Sequence, residues 1–93
     1  MKPFELNHIR EFGDGCALYE AKFNRAMTVG ELMEYALARK RERGYIHISG
    51  VCVFEFKYGK VVFDDVAPVL KERTIAKMCW YGGYSSADYM VTL

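Results

Sequence analysis

Residues 45–63 read YIHISGVCVFEFKYGKVVF, and they carry the clearest structural pattern in the chain. Between residues 45 and 58, alternate positions are mostly apolar, which is typical of a strand with one face against a core and one face nearer to water. The pattern predicts a strand over residues 45–58. Its core face would carry Ile46, Ile48, Gly50, Cys52, Phe54, Phe56 and Tyr58.

Ser49 and Gly50 interrupt this strand, because Ser-Gly is also a common two-residue turn. A turn would pair Ile48 with Val51 and would leave apolar residues on both faces. A continuous strand, bent or bulged at Gly50, keeps a single apolar face. We therefore expect a continuous strand, with the turn as the alternative.

Tyr58-Gly59 ends the strand and predicts a hairpin whose second strand covers residues 60–64. A two-residue loop places the large apolar side chains together on the core face. A three-residue loop with a bulge at Gly59 would reverse the faces of the second strand. We expect the two-residue loop, and its cross-strand pairs would be Phe54–Phe63, Phe56–Val61 and Lys57–Lys60.

The sequence predicts a long helix over residues 28–43. Thr28 and Glu31 have the spacing of a capping box, in which each side chain bonds the backbone amide of the other residue. Apolar residues then recur at steps of three and four. The segment closes with basic residues, which favour a helix C-terminus, and with Gly44, which suits the left-handed residue after the helix.

The other elements follow from turn residues and alternation. Strands are expected at 4–12 and 16–24 around a glycine-rich turn, at 75–81, and at 86–93 after a loop over 82–86. A short helix is expected at 66–73, with a single helix over 66–80 as the alternative. The sum is one α+β domain over residues 1–93. It has a mainly antiparallel sheet of about five or six strands packed against the long helix.

Composition excludes several classes of function. The net charge of +1 is not that of a general nucleic-acid-binding domain. The three cysteines and two histidines are widely spaced, which does not favour a disulfide framework or a metal site. The N-terminus lacks the apolar run of a signal peptide, and no run is long enough to span a membrane. We expect a cytoplasmic protein with no cofactor and no membrane contact.

Two groups of residues are candidates for binding. Aromatic residues beside flexible glycines, with an outer strand face too apolar for plain solvent, predict a partner surface. Its residues are Trp80, Tyr81, Tyr84, Tyr45, Val51 and Val53. The basic end of the predicted helix could instead bind phosphate or an acidic partner. Its residues are Arg39, Lys40, Arg41 and Arg43.

No catalytic constellation is recognisable. His47 with Ser49 or Cys52 is a conceivable base and nucleophile, but no flanking motif supports it, and the residues would have to share one face. The first hypothesis is therefore a small non-enzymatic binding or adaptor protein that acts through protein–protein contact. The alternative is a nucleic-acid-binding accessory protein. A homodimer through Val51 and Val53 is a further option.

Overall fold

The computed structural model of the chain describes residues 2–93. It contains one three-turn helix, one single-turn helix and seven strands. In chain order these are β1 (Phe4–Glu11), β2 (Ala17–Phe23), α1 (Val29–Ala38), β3 (Arg43–Ile48), β4 (Val51–Lys57), β5 (Lys60–Asp64), α2 (Pro68–Lys71), β6 (Lys77–Gly83) and β7 (Ser86–Thr92).

All seven strands form one mixed sheet in the order β1-β2-β6-β7-β3-β4-β5. The α+β class is confirmed, and five of the six strand pairs are antiparallel, as expected for a mainly antiparallel sheet. The sheet has seven strands instead of five or six, and one pair is parallel. Strands β3 and β7 pair in parallel, with Gly44 opposite Ala87 and Ile46 opposite Tyr89. Neighbouring strands in the sequence form the hairpins, whereas this parallel pair joins residues more than forty positions apart. Such a pairing has no local sequence signal.

Ser49 and Gly50 form a turn, so the continuous strand over 45–58 is wrong. Both residues have positive φ, 51° and 81°, as a two-residue hairpin turn of the primed type requires. A bulge then corrects the register, because His47 pairs with Cys52 while Ile46 pairs with Phe54. The additional residue is Val53, and its insertion returns the phenylalanines of β4 to the core face.

The two-residue loop at Tyr58-Gly59 is confirmed, as are the pairs Phe56–Val61 and Lys57–Lys60. Phe54, however, lies opposite Asp64, because a second bulge shifts the register. Val61 and Phe63 were expected on the core face, but they are 51% and 39% exposed. Strand β5 is at the edge of the sheet, where its side chains have a neighbouring strand on one side only.

Helix α1 begins as predicted and ends early. The hydroxyl of Thr28 accepts from the amide of Glu31 at 3.2 Å, and the Glu31 carboxylate accepts from the amide of Thr28 at 2.9 Å. The helix stops at Ala38 and Arg39 is its C-cap, so the basic residues expected in its last turn lie in the following turn and strand. Gly44 belongs to β3, where a Cβ would collide with the carbonyl oxygen of Ala87.

In the C-terminal third of the chain, the short helix and the loop after it differ in length from the prediction. The short helix is limited to Pro68–Lys71, and β6 runs from Lys77 to Gly83, which excludes a single helix over 66–80. Gly82 and Gly83 are strand residues, so the expected loop shrinks to a two-residue turn at Tyr84-Ser85. The opening hairpin and the terminal strand are confirmed.

Both helices pack on the same face of the sheet. Leu32 and Ala36 of α1 are fully buried with Phe54, Phe56 and Tyr89 in one hydrophobic core, which also takes in Leu70 of α2. Within residues 2–93, no helix is long and apolar enough to cross a membrane. The sheet therefore has one face under helices and one face without them.

Candidate binding surfaces

The face of the sheet opposite the helices, which we call the open face, carries alternate residues of β2, β6, β7, β3, β4 and β5. Several of its apolar and aromatic side chains are half-buried by their neighbours alone. Residues of this kind on a surface without a covering layer are typical of a binding face. The half-buried ones are Leu18, Tyr81, Met90 and Cys79. Tyr45 shares this face and is 39% exposed.

Tyr45 lies at the centre of this face between two carboxylates. It is directly opposite Asp88 of β7 on one side and Glu55 of β4 on the other. These residues line a shallow cavity of about 270 Å³, which Arg43 and Lys57 close at the end of the sheet. The cavity thus joins an aromatic ring, two acidic groups and two basic groups.

Asp88 is a half-buried acidic group of the open face. Partial burial raises its pKa above the ordinary value of 3.8, while the nearby His47 and a backbone hydrogen bond at Tyr45 lower it. Among residues 2–93, no lysine or arginine forms an ion pair with this carboxylate. Its charge is therefore available to a cation from outside the chain.

The partner-binding residues predicted from the sequence do not lie on one surface of the structure. Tyr45 and Tyr81 are on the open face, but Trp80 is on the helix side, where it packs against the core. Val53 is the bulge residue and only 9% exposed, so its expected exposure is wrong. The other two residues lie at the ends of the sheet: Val51 is paired with core residue Ile48, and Tyr84 is in the β6–β7 turn.

Five cations lie at or directly before the end of the sheet where β3 begins, and we call them the basic cluster. Arg43, Lys57 and Lys60 are directly opposed on three neighbouring strands. The side chain of Lys40 lies against Gly59 in the β4–β5 turn. None of the cluster forms an ion pair within the described residues. Its members are Lys40, Arg41, Arg43, Lys57 and Lys60.

Arg39 does not belong to this cluster. Its guanidinium makes two bonds of 2.9 and 2.7 Å to the carboxylate of Glu42 and lies over the ring of Tyr35. Lys57 and Lys60 were not among the predicted site residues. The signal for them was present, because the two-residue loop at Tyr58-Gly59 places them opposite each other.

His47 and Cys52 share the open face as a cross-strand pair, with Asp88 near the imidazole. A base must reach its nucleophile through a hydrogen bond, and no such bond joins these side chains in the structure. The Sγ of Cys52 instead lies 3.9 Å from the carbonyl oxygen of Phe54. Across residues 2–93, no three histidine, cysteine or acidic residues are grouped so that they could hold a metal ion.

Comparisons with known proteins found no relative of this chain. No protein-family model, no curated protein sequence and no solved structure matches this chain. Its function must therefore be argued from the surfaces themselves.

Proposed function

We propose that this chain is a small non-enzymatic binding protein that acts through protein–protein contact at the open face. The supporting observation is the one-sided covering of the sheet, which leaves Tyr45, Tyr81 and Met90 without a helix over them. Aromatic residues at the centre of a flat surface are typical hot spots of protein interfaces. Solvated polar residues would serve better at these positions if the face met only water.

Charge defines the partner more closely. Asp88 and Glu55 flank Tyr45, and Arg43 lies one row further toward the end of the sheet. A partner that fits places a lysine or arginine over Tyr45, where the ring and both carboxylates stabilise a cation. An acidic group of the same partner faces Arg43 and Lys57. We therefore propose a protein partner with an apolar contact patch and one charge of each sign.

Capture from a lysate of the source cells tests this proposal. Immobilised wild type is compared with the double variant Tyr45→Ala, Tyr81→Ala, and the bound proteins are identified by mass spectrometry. The matched control is Tyr58→Ala, Tyr84→Ala, because both of its residues are exposed and lie in turns. Thermal unfolding verifies that each variant is folded.

The expected result is a partner retained by wild type and control and lost by the open-face variant. The same captured proteins with all three baits would contradict the proposal. A second copy of the chain as occupant would appear as a doubled mass in light scattering, sensitive to the open-face variant alone. That result would mean that the open face forms a homodimer instead of binding a different protein.

A second candidate function is favoured by the basic cluster. Like charges directly opposite each other on neighbouring strands are destabilising, yet Arg43, Lys57 and Lys60 are arranged in this way without acidic partners. Tyr58 and Tyr84 lie in turns at the same end of the sheet and are exposed. Cations beside exposed aromatic rings are typical of single-strand nucleic-acid binding.

Binding of a labelled single-stranded oligonucleotide tests this second candidate. The affinity should fall steeply with salt, and Lys57→Glu with Lys60→Glu should weaken it at every sequence tested. Lys22→Glu with Lys77→Glu is the control with the same change in charge. No binding at low salt, or equal weakening by both pairs, would dispose of the candidate.

The cellular location is also a proposal. All three cysteines, Cys16, Cys52 and Cys79, are free thiols in the structure. Free, half-buried thiols suit a reducing compartment, so we propose the cytoplasm. Fractionation of source cells checks this, and recovery in any other fraction would contradict it.

A further inference from the structure

Four side chains with sulfur or imidazole donors form a row across the open face. Cys79 of β6 is directly opposite Met90 of β7, and Met90 is directly opposite His47 of β3. His47 is in turn opposite Cys52 of β4. All four side chains are half-buried, and residues opposite each other on neighbouring strands share one face of a sheet. Two thiols, a thioether and an imidazole therefore lie side by side.

Met90 is at the centre of a set of three donors in this row. Histidine, cysteine and acidic residues alone form no group of three for a metal ion within residues 2–93. The thioether of Met90 completes such a group, because Cys79 and His47 flank it directly on the two neighbouring strands. Neighbouring strands are about 5 Å apart, so the three side chains are within reach of one ion.

The two thiols of the row differ in their surroundings. The Sγ of Cys52 lies 3.9 Å from the carbonyl oxygen of Phe54 in its own strand. Cys52 is also separated from Met90 by a whole strand, whereas Cys79 is directly beside Met90. Both cysteines are free of disulfides. Cys79 is therefore the thiol that belongs to the group of three.

The donor set selects the metal. Thiolate and thioether sulfurs favour monovalent copper, and imidazole also suits copper. Structural zinc sites take four ligands from cysteine, histidine and acidic side chains, and a thioether is not among them. The nearby charge favours a cation, because Asp88 lies two residues before Met90 on the same face and pairs with no lysine or arginine of residues 2–93.

We propose that Cys79, Met90 and His47 bind one monovalent copper ion on the open face. The Sγ of Cys79, the Sδ of Met90 and a ring nitrogen of His47 are the ligand atoms. Binding releases the thiol proton of Cys79 to solvent, as coordination of a cysteine requires. The site lies on the same face as the proposed protein contact but does not depend on it, because copper binding is measured on the purified chain alone.

Anaerobic titration of the reduced protein with Cu⁺, in competition with the chromophoric chelator bicinchoninate, tests the site. Loss of the chelator's colour gives the stoichiometry and the affinity. The ligand variants are Cys79→Ser and Met90→Leu. Their controls are Cys16→Ser, which removes a thiol outside the row, and Met78→Leu, which replaces a fully buried core methionine. Thermal unfolding without metal verifies that each variant is folded.

Wild type should bind one Cu⁺ per chain. In nuclear magnetic resonance spectra, Cu⁺ should shift one of the five methionine methyl signals, the one that Met90→Leu lacks. It should also shift the ring protons of His47 and leave those of His8 in place. Each ligand variant should weaken binding at least as much as loss of an outer-shell partner does, which is about 10–100-fold. The controls should bind as wild type does.

Three results would overturn the proposal. The first is that wild type takes no Cu⁺ from the chelator. The second is that the ligand variants bind as tightly as their controls. The third is that Zn²⁺ binds as tightly as Cu⁺, which a site selected by its thioether does not allow. Loss of binding in Cys52→Ser but not in Cys79→Ser would equally overturn the assigned ligands.

Discussion

Gly44 and Ala87 lie side by side in the parallel pair of β3 and β7, so close that a Cβ on Gly44 would collide with the carbonyl oxygen of Ala87. The collision is with backbone, which cannot move aside as a flexible side chain can. The contact holds the two halves of the sheet together, since β3 begins the β3-β4-β5 block and β7 ends the β1-β2-β6-β7 block.

Gly44→Ala should therefore destabilise the fold strongly. Overpacking of a tight contact typically costs about 1–3 kcal/mol, and a backbone collision belongs at the upper end. Urea unfolding measures the change. Gly13→Ala is the control, because a Cβ there meets no atom within 4 Å, and its unfolding free energy should stay within about 0.5 kcal/mol of wild type. Equal stability of the two variants would refute the role given to the contact.

The two ends of helix α1 show which features of the fold could be predicted from the sequence. The start of α1 was predicted correctly, because Thr28 and Glu31 bond each other across three residues. The end was not, because Gly44 suits a helix C-terminus as well as a strand beside another backbone. Only the pairing with Ala87 distinguishes these roles. The turn at Ser49-Gly50 was only the alternative to a continuous strand for a similar reason, since the bulge that restores the core face was not visible in the alternation.

The candidate sites also divide into residues with a local sequence signal and residues whose position only the folded structure shows. Tyr45 was predicted from alternation and Tyr81 from the aromatic residues beside glycines, and both lie on the open face. Trp80 is adjacent to Tyr81 in sequence and lies on the other face, because successive strand residues point to opposite sides. The buried, unpaired hydroxyl of Tyr89 had no sequence signal. Its burial depends on how closely α1 approaches the strands, which side-chain packing decides.

Because Thr28 caps helix α1, we expect Thr28→Ala to lower the unfolding free energy. Loss of the hydroxyl leaves the amide of Glu31 without its acceptor, which should reduce the unfolding free energy by about 1 kcal/mol at pH 7. Thr92→Ala, at the end of β7, is the control with the same change of side chain. Chemical denaturation measures both. An equal, small effect of the two variants would mean that the cap does not stabilise the helix.

The same box predicts a dependence on pH. The backbone hydrogen bond with Thr28, followed by the bond with its hydroxyl, lowers the pKa of Glu31 below 4.5. A lowered pKa in the folded state contributes stability above the unfolded value and loses it as pH falls through the folded value. Glu31→Gln should therefore be less stable than wild type at neutral pH, and the difference should shrink below pH 4.5. A constant difference across this range would contradict the ionic contribution.

For Asp88 we expect the opposite dependence of folding stability on pH. Burial raises its pKa above 3.8 in the folded state. The stability associated with the protonated form is therefore full below the unfolded value and is lost as pH rises through the folded value. Asp88→Asn cannot ionise, so it should be more stable than wild type at pH 7 and similar to it near pH 3. Asp65→Asn removes an exposed carboxylate and is the control. A gain at pH 7 for the control alone, or for neither variant, would be inconsistent with this account.

Tyr89→Phe should stabilise the protein. The buried hydroxyl has no partner among residues 2–93, and an unsatisfied polar group of this kind costs free energy that its removal recovers. The gain should be about 1 kcal/mol in urea unfolding. Tyr35→Phe is the matched control, because its hydroxyl accepts a bond of 3.4 Å from Arg39 and its loss brings no such recovery. Destabilisation by Tyr89→Phe would instead indicate that a water molecule already satisfies the group.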